Sequence, residues 1–334
     1  MVGTDVQISQ LAQRLAPIGV HGLQPLTGGA SSLSYVGSIA GAGAGEEGVR
    51  RVVVKVAPPG VAPVLNRDVL RQARMVRALG PTRVPVPEVL WEDPGEPPEV
   101  PPLFVMSFAD GESFEPLFDS DVETPSVDEA VVAERMRNAA RTLADLHALA
   151  PDTLGVSGEP LVGPAEEVDR WSRALATVDP ALVPSWEEVA AALHASEPAA
   201  SPAAVVHGDF RLGNVLATGA QITAVVDWEI WAVSDPRVDL GWFLVNADPA
   251  TYGRATRYAA AVPSLAELTE IYTNALGRDV TTTRWFEAVA CFKSAAVWSL
   301  IIKHNRRRAT PDAALARMAA TLPHVLERAR ELLA

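Results

Sequence analysis

Apolar and β-branched residues concentrate in three short segments near the start of the chain, and turn-forming residues separate them. The segments are residues 21–27, 33–40 and 50–57, and the third is the richest in β-branched residues. Glycine-rich stretches lie between them at residues 28–32 and 41–48. Short apolar runs bounded by such turns are typical of β-strands. The pattern therefore predicts three strands, the last two joined by a long hairpin tip.

The apolar positions then change to helical spacing. Residues 66–79 place Val69, Ala73, Val76 and Leu79 on one side, and Gly80-Pro81 ends the segment. This spacing predicts an amphipathic helix. Residues 88–92 and 103–109 follow as strands, joined by a proline-rich loop. Three strands, a helix and two strands predict one small sheet with a helix packed on it.

The rest of the chain is mainly helical. We expect helices at residues 187–194 and 285–304, a last pair broken at Pro323, and an earlier helix closed before Pro151. The apolar face of that earlier helix comprises Val132, Met136, Ala139, Leu143 and Leu146.

A short β-rich interlude divides these helices, with strands at residues 205–207, 214–217 and 222–227. A β-rich part followed by a helical part predicts an α+β protein of two lobes with a cleft between them. We place the lobes at residues 1–106 and 107–334.

Composition and charge exclude several classes of function. The 334 residues include 28 Lys and Arg against 41 Asp and Glu, so the formal net charge is −13. Such an acidic chain is a poor candidate for sequence-independent nucleic-acid binding. The single cysteine, Cys291, excludes an internal disulfide and a cysteine-based zinc cluster. Because we see neither a signal-peptide pattern nor an apolar stretch of about 18 residues, we expect a cytoplasmic protein that does not bind membranes.

The densest group of polar residues lies in the interlude, where each set follows an apolar strand. The segments are His207-Gly208-Asp209-Phe210-Arg211-Leu212-Gly213-Asn214 and Ala224-Val225-Val226-Asp227-Trp228-Glu229. A turn containing Gly219 would bring Asn214 and Asp227 together. An amide oxygen beside a carboxylate suits Mg²⁺ that is held partly by substrate phosphates. Asp209 is then placed to accept a proton from an attacking hydroxyl.

Lys55 lies within the apolar strand Val52-Val53-Val54-Lys55-Val56-Ala57. A buried ammonium is costly unless it is paired, and the α- and β-phosphates of ATP are one such partner. The turn at residues 28–32 offers backbone N–H groups for the phosphates. A lysine that guards an edge strand is the alternative interpretation of Lys55. Together with the polar loops, ATP binding is favoured.

These motifs resemble the aminoglycoside-phosphotransferase family of the kinase-like fold. The resemblance rests on Lys55, the HGDxxxxN loop, the Asp-Trp-Glu segment and Asp235-Pro236-Arg237-Val238-Asp239-Leu240-Gly241. The pattern is most similar to the branch that contains kinase domains fused to acyl-CoA dehydrogenases, which is associated with phosphorylation of hydroxyacyl-CoA. The resemblance implies a bilobal protein-kinase-like fold whose N-terminal lobe is an antiparallel sheet with a helix.

The resemblance also implies roles for individual residues. Asp209 is the expected catalytic base, Arg211 touches the γ-phosphate, and Asn214 and Asp227 bind Mg²⁺. The ATP-binding set is Lys55, Gly28, Gly29, Ala30, Ser31, Ser32, Gln72, Met106, Ser107 and Phe108. The backbone near Ser107 and Phe108 is expected to bond the adenine.

Several residues near the motifs are expected to have supporting roles. Gln72 replaces the glutamate that is expected to pair with Lys55, and Asp68 is an alternative partner. Asp239 is interpreted as a cap of the following helix or as a partner of the loop amides, and His207 as a support of the loop. Trp242 is interpreted as a core residue.

Two acceptors and one non-catalytic function remain open. The leading acceptor is a small-molecule hydroxyl, as in a hydroxyacyl-CoA, which a basic site containing residues 306–308 would favour. The alternative is an aminoglycoside, which an acidic wall drawn from the nine carboxylates of residues 110–134 would favour. A nucleotide-binding regulator without catalysis is the third hypothesis, and only Gln72 favours it.

Overall fold

The computed structural model describes residues 2–26, 32–40, 49–117, 127–253, 256–281 and 283–334. The chain divides into two compact units. Unit 1 comprises Met1–Gly111 and Thr223–Ile230, and unit 2 comprises Glu112–Ile222 and Trp231–Ala334. This division lies after Gly111 rather than after residue 106. Unit 1 also includes the segment Thr223–Ile230, which contains Asp227 and lies within the predicted second lobe.

Unit 1 is built on a five-stranded antiparallel sheet with the strand order β1-β2-β3-β5-β4. The strands are β1 (His21–Pro25), β2 (Leu33–Ala40), β3 (Val49–Val56), β4 (Val89–Asp93) and β5 (Leu103–Ser107). Each lies within two residues of the predicted segment at both ends. The prediction of three strands, a helix and two strands is confirmed.

A helix covers each face of this sheet. Alternate residues of β3 point to opposite faces, so Val52, Val54 and Val56 pack with Leu11 and Leu15 of α1 (Val2–Leu15). Helix α1 was not among the predicted elements. The expectation that the first hundred residues form mainly strands was wrong at the start of the chain.

The other face packs against α2 (Val69–Leu79), where Phe104 and Met106 of β5 meet Val69 and Ala73. Helix α2 begins three residues later than predicted, because Asp68 caps it by accepting the Arg71 N–H at 3.0 Å. Its position brings Gln72, which is buried in the helix, to the face of the sheet that carries Lys55.

Unit 2 is mainly helical, and its core is centred on one long helix. The helices are α3 (Glu129–His147), α4 (Pro164–Leu175), α5 (Trp186–Ala195), α6 (Arg237–Ala247), α7 (Leu265–Leu276), α8 (Thr283–Asn305), α9 (Ala313–Arg317) and α10 (Leu322–Leu333). Buried residues of α4, α5, α6 and α10 form one apolar cluster with α8. Pro323 lies in the first turn of α10, so the predicted break between the last two helices falls just before it.

Short strands in the middle of the chain carry the polar loops. They are β6 (Leu161–Val162), β7 (Ala204–Val206), β8 (Val215–Thr218), β9 (Gln221–Val225) and β10 (Ala232–Ser234). Strand β10 lies between β6 and β7, and β8 pairs with β9. The boundary between the two units falls within β9. Strands β7, β8 and β9 coincide closely with the predicted β-rich interlude, whereas β6 and β10 were not predicted.

Helix α8 is long and apolar enough to cross a membrane by length and composition. Our expectation that no segment reaches that length was therefore wrong. Its 18-residue apolar window has a mean hydropathy of 1.4 and is 78% buried inside the protein. A helix that is surrounded by other helices has the same composition, because its apolar residues contact apolar neighbours on all sides. The contacts of α8 identify it as a core helix of unit 2.

Gly241 permits a close approach of α6 to α8. A Cβ atom built on Gly241 would lie 2.5 Å from both the carbonyl carbon and the carbonyl oxygen of Phe286. The obstacle is backbone within a helix, so a side-chain movement cannot relieve it. The packing of Trp242 and its neighbours on α6 against α8 therefore requires glycine at this position.

We expect Gly241→Ala to lower the free energy of unfolding by about 1–3 kcal/mol, as overpacking of a core does. The control is Gly158→Ala, because Gly158 is exposed and an added Cβ there meets open space. Denaturant unfolding followed by circular dichroism measures both variants. Equal midpoints for Gly241→Ala and the unmodified chain would contradict the close packing of α6 on α8.

Candidate active site

Lys55 of unit 1 is paired with a carboxylate. Its side chain lies in apolar strand β3 and is only 11% exposed. Its Nζ lies 2.7 Å from Asp227 Oδ1 and 3.4 Å from Gln72 Oε1. Asp68, the alternative partner, caps α2 instead. The cost of burying this ammonium is therefore offset mainly by Asp227.

Gln72 occupies the position beside Lys55 that we predicted, but it brings no charge. Its Oε1 accepts from Lys55 and its Nε2 donates to the Asn66 carbonyl at 3.4 Å. A neutral hydrogen bond is weaker than a charge-assisted pair. Lys55 is consequently oriented by one ionic partner and one neutral partner, both within unit 1.

Asp227 has an unusual backbone conformation. It follows β9 with φ of 66°, in the left-handed region that non-glycine residues rarely adopt. Helical turn Trp228–Ile230 comes next, and the Trp228 indole N–H donates to the Val225 carbonyl at 3.0 Å. Such strain persists where the surrounding structure enforces it, and it is common at functional sites. The conformation places the Asp227 carboxylate on Lys55.

A small pocket of unit 1 lies beside this pair. Its lining includes Lys55, Gln72, Phe104, Met106, Asp227 and Trp228. Of the predicted nucleotide-binding turn, only Ser32 is described, as a buried residue just before β2. Gly28, Gly29, Ala30 and Ser31 lie outside the described residues.

The end of β5 is hydrogen-bonded to neighbouring backbone of unit 1. The N–H of Ser107 donates to the Glu88 carbonyl at 2.8 Å, and that of Phe108 donates to the Arg51 carbonyl at 3.0 Å. The Ser107 hydroxyl in turn accepts the Glu88 N–H at 2.9 Å. Both N–H groups are thus used within unit 1. The expected contact of the adenine with the backbone near Ser107 and Phe108 stays a prediction.

Unit 2 brings Asp209, Arg211 and Asn214 together in the loop that follows β7. Asn214 Nδ2 donates to Asp209 Oδ2 at 2.7 Å and to the Asp209 carbonyl at 2.9 Å. Arg211 Nε lies 3.3 Å from Asp209 Oδ1. The Asp209 side chain is 26% exposed. The loop therefore holds a carboxylate from two sides while leaving it accessible.

Arg211 is turned toward a second, buried carboxylate, that of Glu115. Its NH1 lies 2.9 Å from Glu115 Oε1, which also accepts the Gly213 N–H at 2.5 Å. Burial raises the pKa of Glu115, although the charge of Arg211 opposes this. An added Cβ on Gly213 would lie 2.8 Å from the same oxygen, so a larger residue would have to displace the Arg211 and Glu115 side chains. Glu115 and Asp209 together balance the charge of Arg211.

Asp239 of α6 is hydrogen-bonded to the backbone at the start of the loop that carries Asp209. Its carboxylate accepts the His207 N–H at 2.5 Å and the Gly208 N–H at 2.8 Å. His207 Nδ1 in turn accepts the Asp209 N–H at 3.2 Å. The predicted supporting roles of Asp239 and His207 are confirmed, and Asp239 bonds the loop amides rather than capping α6.

Burial alone would raise the pKa of the Asp239 carboxyl. The neighbouring His147, at 3.5 Å, and the charges of His207 and Lys293 outweigh this effect and lower the pKa overall. Asp239 is fully buried. Its negative charge is therefore a built-in part of the folded loop.

Three contacts of this loop were not predicted from the sequence. The Trp242 indole N–H donates to Asp209 Oδ1 at 2.8 Å, so this core tryptophan also touches the predicted base. The buried ammonium of Lys293 donates to the Gly208 carbonyl. Lys293 carried a usable signal, because it is a cation inside an apolar helix, as Lys55 is inside an apolar strand. Glu115 lies among many acidic residues and carried no such signal.

Comparison with known proteins adds a family and a fold. Residues 22–271 match the model of the phosphotransferase enzyme family (APH). The chain is 25% identical over 269 residues to mouse acyl-CoA dehydrogenase family member 10, which covers 77% of this chain and 25% of that protein. It is 23% identical over 264 residues to human acyl-CoA dehydrogenase family member 11, with 75% and 33% covered. The chain thus spans a quarter to a third of the length of these curated relatives.

Solved structures share the fold across nearly the whole chain. A protein from Ralstonia eutropha JMP134, assigned to the aminoglycoside phosphotransferases, has a TM-score of 0.76 at 18% identity, with 98% of both chains covered. A type I macrolide 2′-phosphotransferase has a TM-score of 0.61 at 20% identity, with 95% and 97% covered. A thermostable aminoglycoside phosphotransferase solved with ADP and hygromycin B has a TM-score of 0.61 at 14% identity, with 96% and 97% covered. The expected kinase-like α+β fold is confirmed.

We expect Asp239→Asn to lower the free energy of unfolding by about 1–3 kcal/mol at neutral pH, because an amide cannot satisfy both backbone N–H groups. Since the pKa of Asp239 is lowered in the folded chain, its stabilising charge is present above the ordinary aspartate pKa. That contribution is lost as the pH falls through the folded-state pKa. The difference between the two chains should therefore shrink in acid.

Denaturant unfolding at several pH values measures this difference. Asp152→Asn is the matched control, because Asp152 is exposed. The supporting role of Asp239 would be contradicted if Asp239→Asn unfolded with the same free energy as the unmodified chain at neutral pH. It would also be contradicted if the difference in free energy grew on acidification.

Proposed function

Since the chain belongs to the phosphotransferase enzyme family, whose model matches residues 22–271, we propose that it transfers the γ-phosphoryl group of ATP to a hydroxyl of a small molecule. The observation that carries this proposal is the Asp209 carboxylate of unit 2. It is oriented by Trp242, Asn214 and Arg211, and it is still accessible to solvent. A purely structural carboxylate with that many donors has no need to be exposed.

Asp209 is the proposed general base. As the acceptor oxygen forms its bond to the γ-phosphorus, its proton passes to a carboxylate oxygen of Asp209, and ADP leaves. Trp242 and Asn214 each donate to a different oxygen of the carboxylate, at 2.8 and 2.7 Å. These bonds restrict rotation of the Asp209 carboxylate. A catalytic group that is held in the reacting geometry accelerates the reaction strongly.

Asn214 and Asp227 are the proposed Mg²⁺ ligands, and their chemistry fits that ion. Asn214 Nδ2 is directed at Asp209 by two hydrogen bonds, so its Oδ1 is the part of the amide left to act as a ligand. Asp227 offers a carboxylate, and Mg²⁺ prefers such oxygen donors. When bound with ATP, Mg²⁺ would neutralise charge on the phosphates.

Lys55 is the proposed partner of the ATP phosphates in unit 1. Its ammonium is held by Asp227, at 2.7 Å, and only weakly by neutral Gln72, at 3.4 Å. A phosphate can therefore take over part of the role of Asp227 as counter-charge. The turn containing Gly28, Gly29, Ala30, Ser31 and Ser32 stays a proposed contact of the ATP phosphates. Met106 is proposed to contact the adenine ring of ATP.

A hydroxyacyl-CoA is the proposed acceptor class. The curated relatives carry acyl-CoA dehydrogenase names. In addition, four of the five acids of residues 112–117 and 127–134 in unit 2 have partners within the unit: Glu112 pairs with Arg135, Glu115 with Arg211, and Glu134 with Arg141, and Asp128 caps α3. Acids already paired are poor partners for a polycationic antibiotic. Arg307 and Arg308, by contrast, are exposed just beyond α8.

The direct test is a screen for ADP release from Mg²⁺–ATP, with hydroxyacyl-CoAs, aminoglycosides, macrolides, amino alcohols and sugars as acceptors. We expect release with a hydroxyacyl-CoA and a phosphorylated product of matching mass. Asp209→Asn should lower kcat by a factor of at least about 10², because the proton has no acceptor, while ATP affinity stays within about twofold. Asp209→Asn, purified in the same way, also shows how much ADP release comes from contaminating kinases.

Each other outcome of the screen has a definite meaning. Transfer to an aminoglycoside alone would reject the proposed acceptor but keep the phosphotransferase. ATP binding without transfer to any acceptor would favour the non-catalytic regulator. Full activity in Asp209→Asn would remove Asp209 as the base.

The metal assignment predicts that Mg²⁺ tightens ATP binding through Asp227. In Asp227→Ala, we expect this gain in affinity to fall about tenfold or more, equivalent to ~1.4 kcal/mol. Without Mg²⁺ the variant should bind ATP at least as well as the unmodified chain, because Lys55 loses its competing carboxylate. Isothermal titration calorimetry with and without Mg²⁺ measures both effects. An unchanged ratio of the two affinities would contradict the assignment.

A further inference from the structure

Lys293 is a buried cation that the proposed chemistry does not use. It lies in the middle of α8, is 4% exposed, and belongs to a chain with only three lysines. The residues around it on the helix are mostly small and apolar, as Cys291, Ala295 and Ala296 are. Burying an ammonium there is costly, so its contacts need an explanation.

The ammonium of Lys293 contacts two groups that lead directly to Asp209. It donates a hydrogen bond to the carbonyl of Gly208, which belongs to the peptide bond preceding Asp209. It also lies 4.0 Å from the ring centroid of Trp242, whose indole N–H donates to Asp209 Oδ1 at 2.8 Å. A cation over an indole face is favourable, especially where water is excluded. It also withdraws electron density from the ring, which makes the N–H a stronger donor.

The other side of the ammonium faces α4. The ring centroid of Trp171 lies 5.6 Å from Nζ, and the Trp171 indole donates to the buried Glu167 at 2.8 Å. Burial lowers the pKa of Lys293, while the negative charges of Asp209, Glu167 and Asp239 oppose this shift. The three carboxylates thus offset part, but not all, of the cost of burying this ammonium.

The backbone of Gly208 is thereby held on both sides. Its N–H donates to Asp239 Oδ1 at 2.8 Å, and its carbonyl accepts from Lys293. Gly208 has φ of 84°, in the region that favours glycine, so the backbone turns sharply just before Asp209. A sharp turn fixed on both sides leaves the following side chain little freedom.

We propose that Lys293 is a positioning residue for Asp209, acting through the Gly208 carbonyl and through the indole of Trp242. This inference rests on the proposed function, since it names a residue that serves the same reaction. Lys293 touches neither phosphate nor acceptor in this role. Its effect is to keep the carboxylate of Asp209 in the orientation that receives the proton, and small misplacements of such groups cost large factors in rate.

The kinetic test compares Lys293→Met with Lys303→Met. Both lysines lie on α8, but Lys303 lies in its last turn, where its Nζ donates to the Thr177 carbonyl rather than to the Gly208 carbonyl. We expect Lys293→Met to lower kcat about 10- to 100-fold, with KM for ATP and for the acceptor within about twofold. Lys303→Met should keep both constants. A kcat within twofold of the unmodified chain in Lys293→Met, or a loss expressed mainly in KM, would overturn the proposal.

A double variant tests the route through the indole. Trp242→Phe keeps an aromatic ring under the ammonium but removes the N–H, and we expect kcat to fall about tenfold. Because both residues act on the same carboxylate, the loss of kcat in the double variant should be clearly smaller than the product of the two single losses. Losses that multiply fully would show independent action and overturn this route.

A spectroscopic measurement keeps the test independent of activity. In ¹⁵N-labelled protein, the indole N–H resonance of Trp242 is identified by its loss in Trp242→Phe. It should move upfield in Lys293→Met and in Lys293→Gln, where the cation is absent. An unmoved resonance in a folded variant would overturn the proposal. If the unmodified chain phosphorylates no acceptor, the proposed function fails, whereas the resonance still decides whether Lys293 acts on the indole that holds Asp209.

Discussion

The buried carboxylate of Asp239 determines the shape of the loop that carries the proposed base. It accepts the backbone N–H groups of His207 and Gly208, which would otherwise need another acceptor inside unit 2. A charged acceptor is about twice as strong as a neutral one for such donors. Because α6 carries Asp239, the position of the loop is tied to the packing of a core helix, and disturbance of that helix reaches Asp209 directly.

Unit 1 uses charge in a different way. Lys55 lies in an apolar strand, and its counter-charge, Asp227, lies in a second segment of the chain with a strained backbone. The neutral side chain of Gln72 adds a contact without a second charge. The buried ammonium is therefore held by one charged partner and one neutral partner.

Helix α8 combines two demands that usually conflict. Its apolar surface forms the centre of unit 2, so that its composition matches that of a membrane-spanning helix. One lysine interrupts that surface, and its ammonium finds a carbonyl and two indole faces instead of water. The apolar residues of α8 thus form the centre of the core, and a single residue, Lys293, supports the loop that carries Asp209. Aromatic partners make the second role compatible with the first, since they are apolar in bulk and attract cations on their faces.

Local patterns in the amino-acid chain were enough to predict most strands and helices, and also the residues that lie close together along one loop. Asp209, Arg211 and Asn214 belong to this set, because the polar loop after β7 is short enough for local spacing to bring them together. The distant side chains that complete the loop became known only from the packing of the folded chain. Trp242 is 33 residues from Asp209, Lys293 is 85 from Gly208, and Glu115 is 98 from Gly213. Such pairs depend on which faces of packed helices meet, and neither hydrophobic periodicity nor motif spacing specifies the rotation of one helix against another.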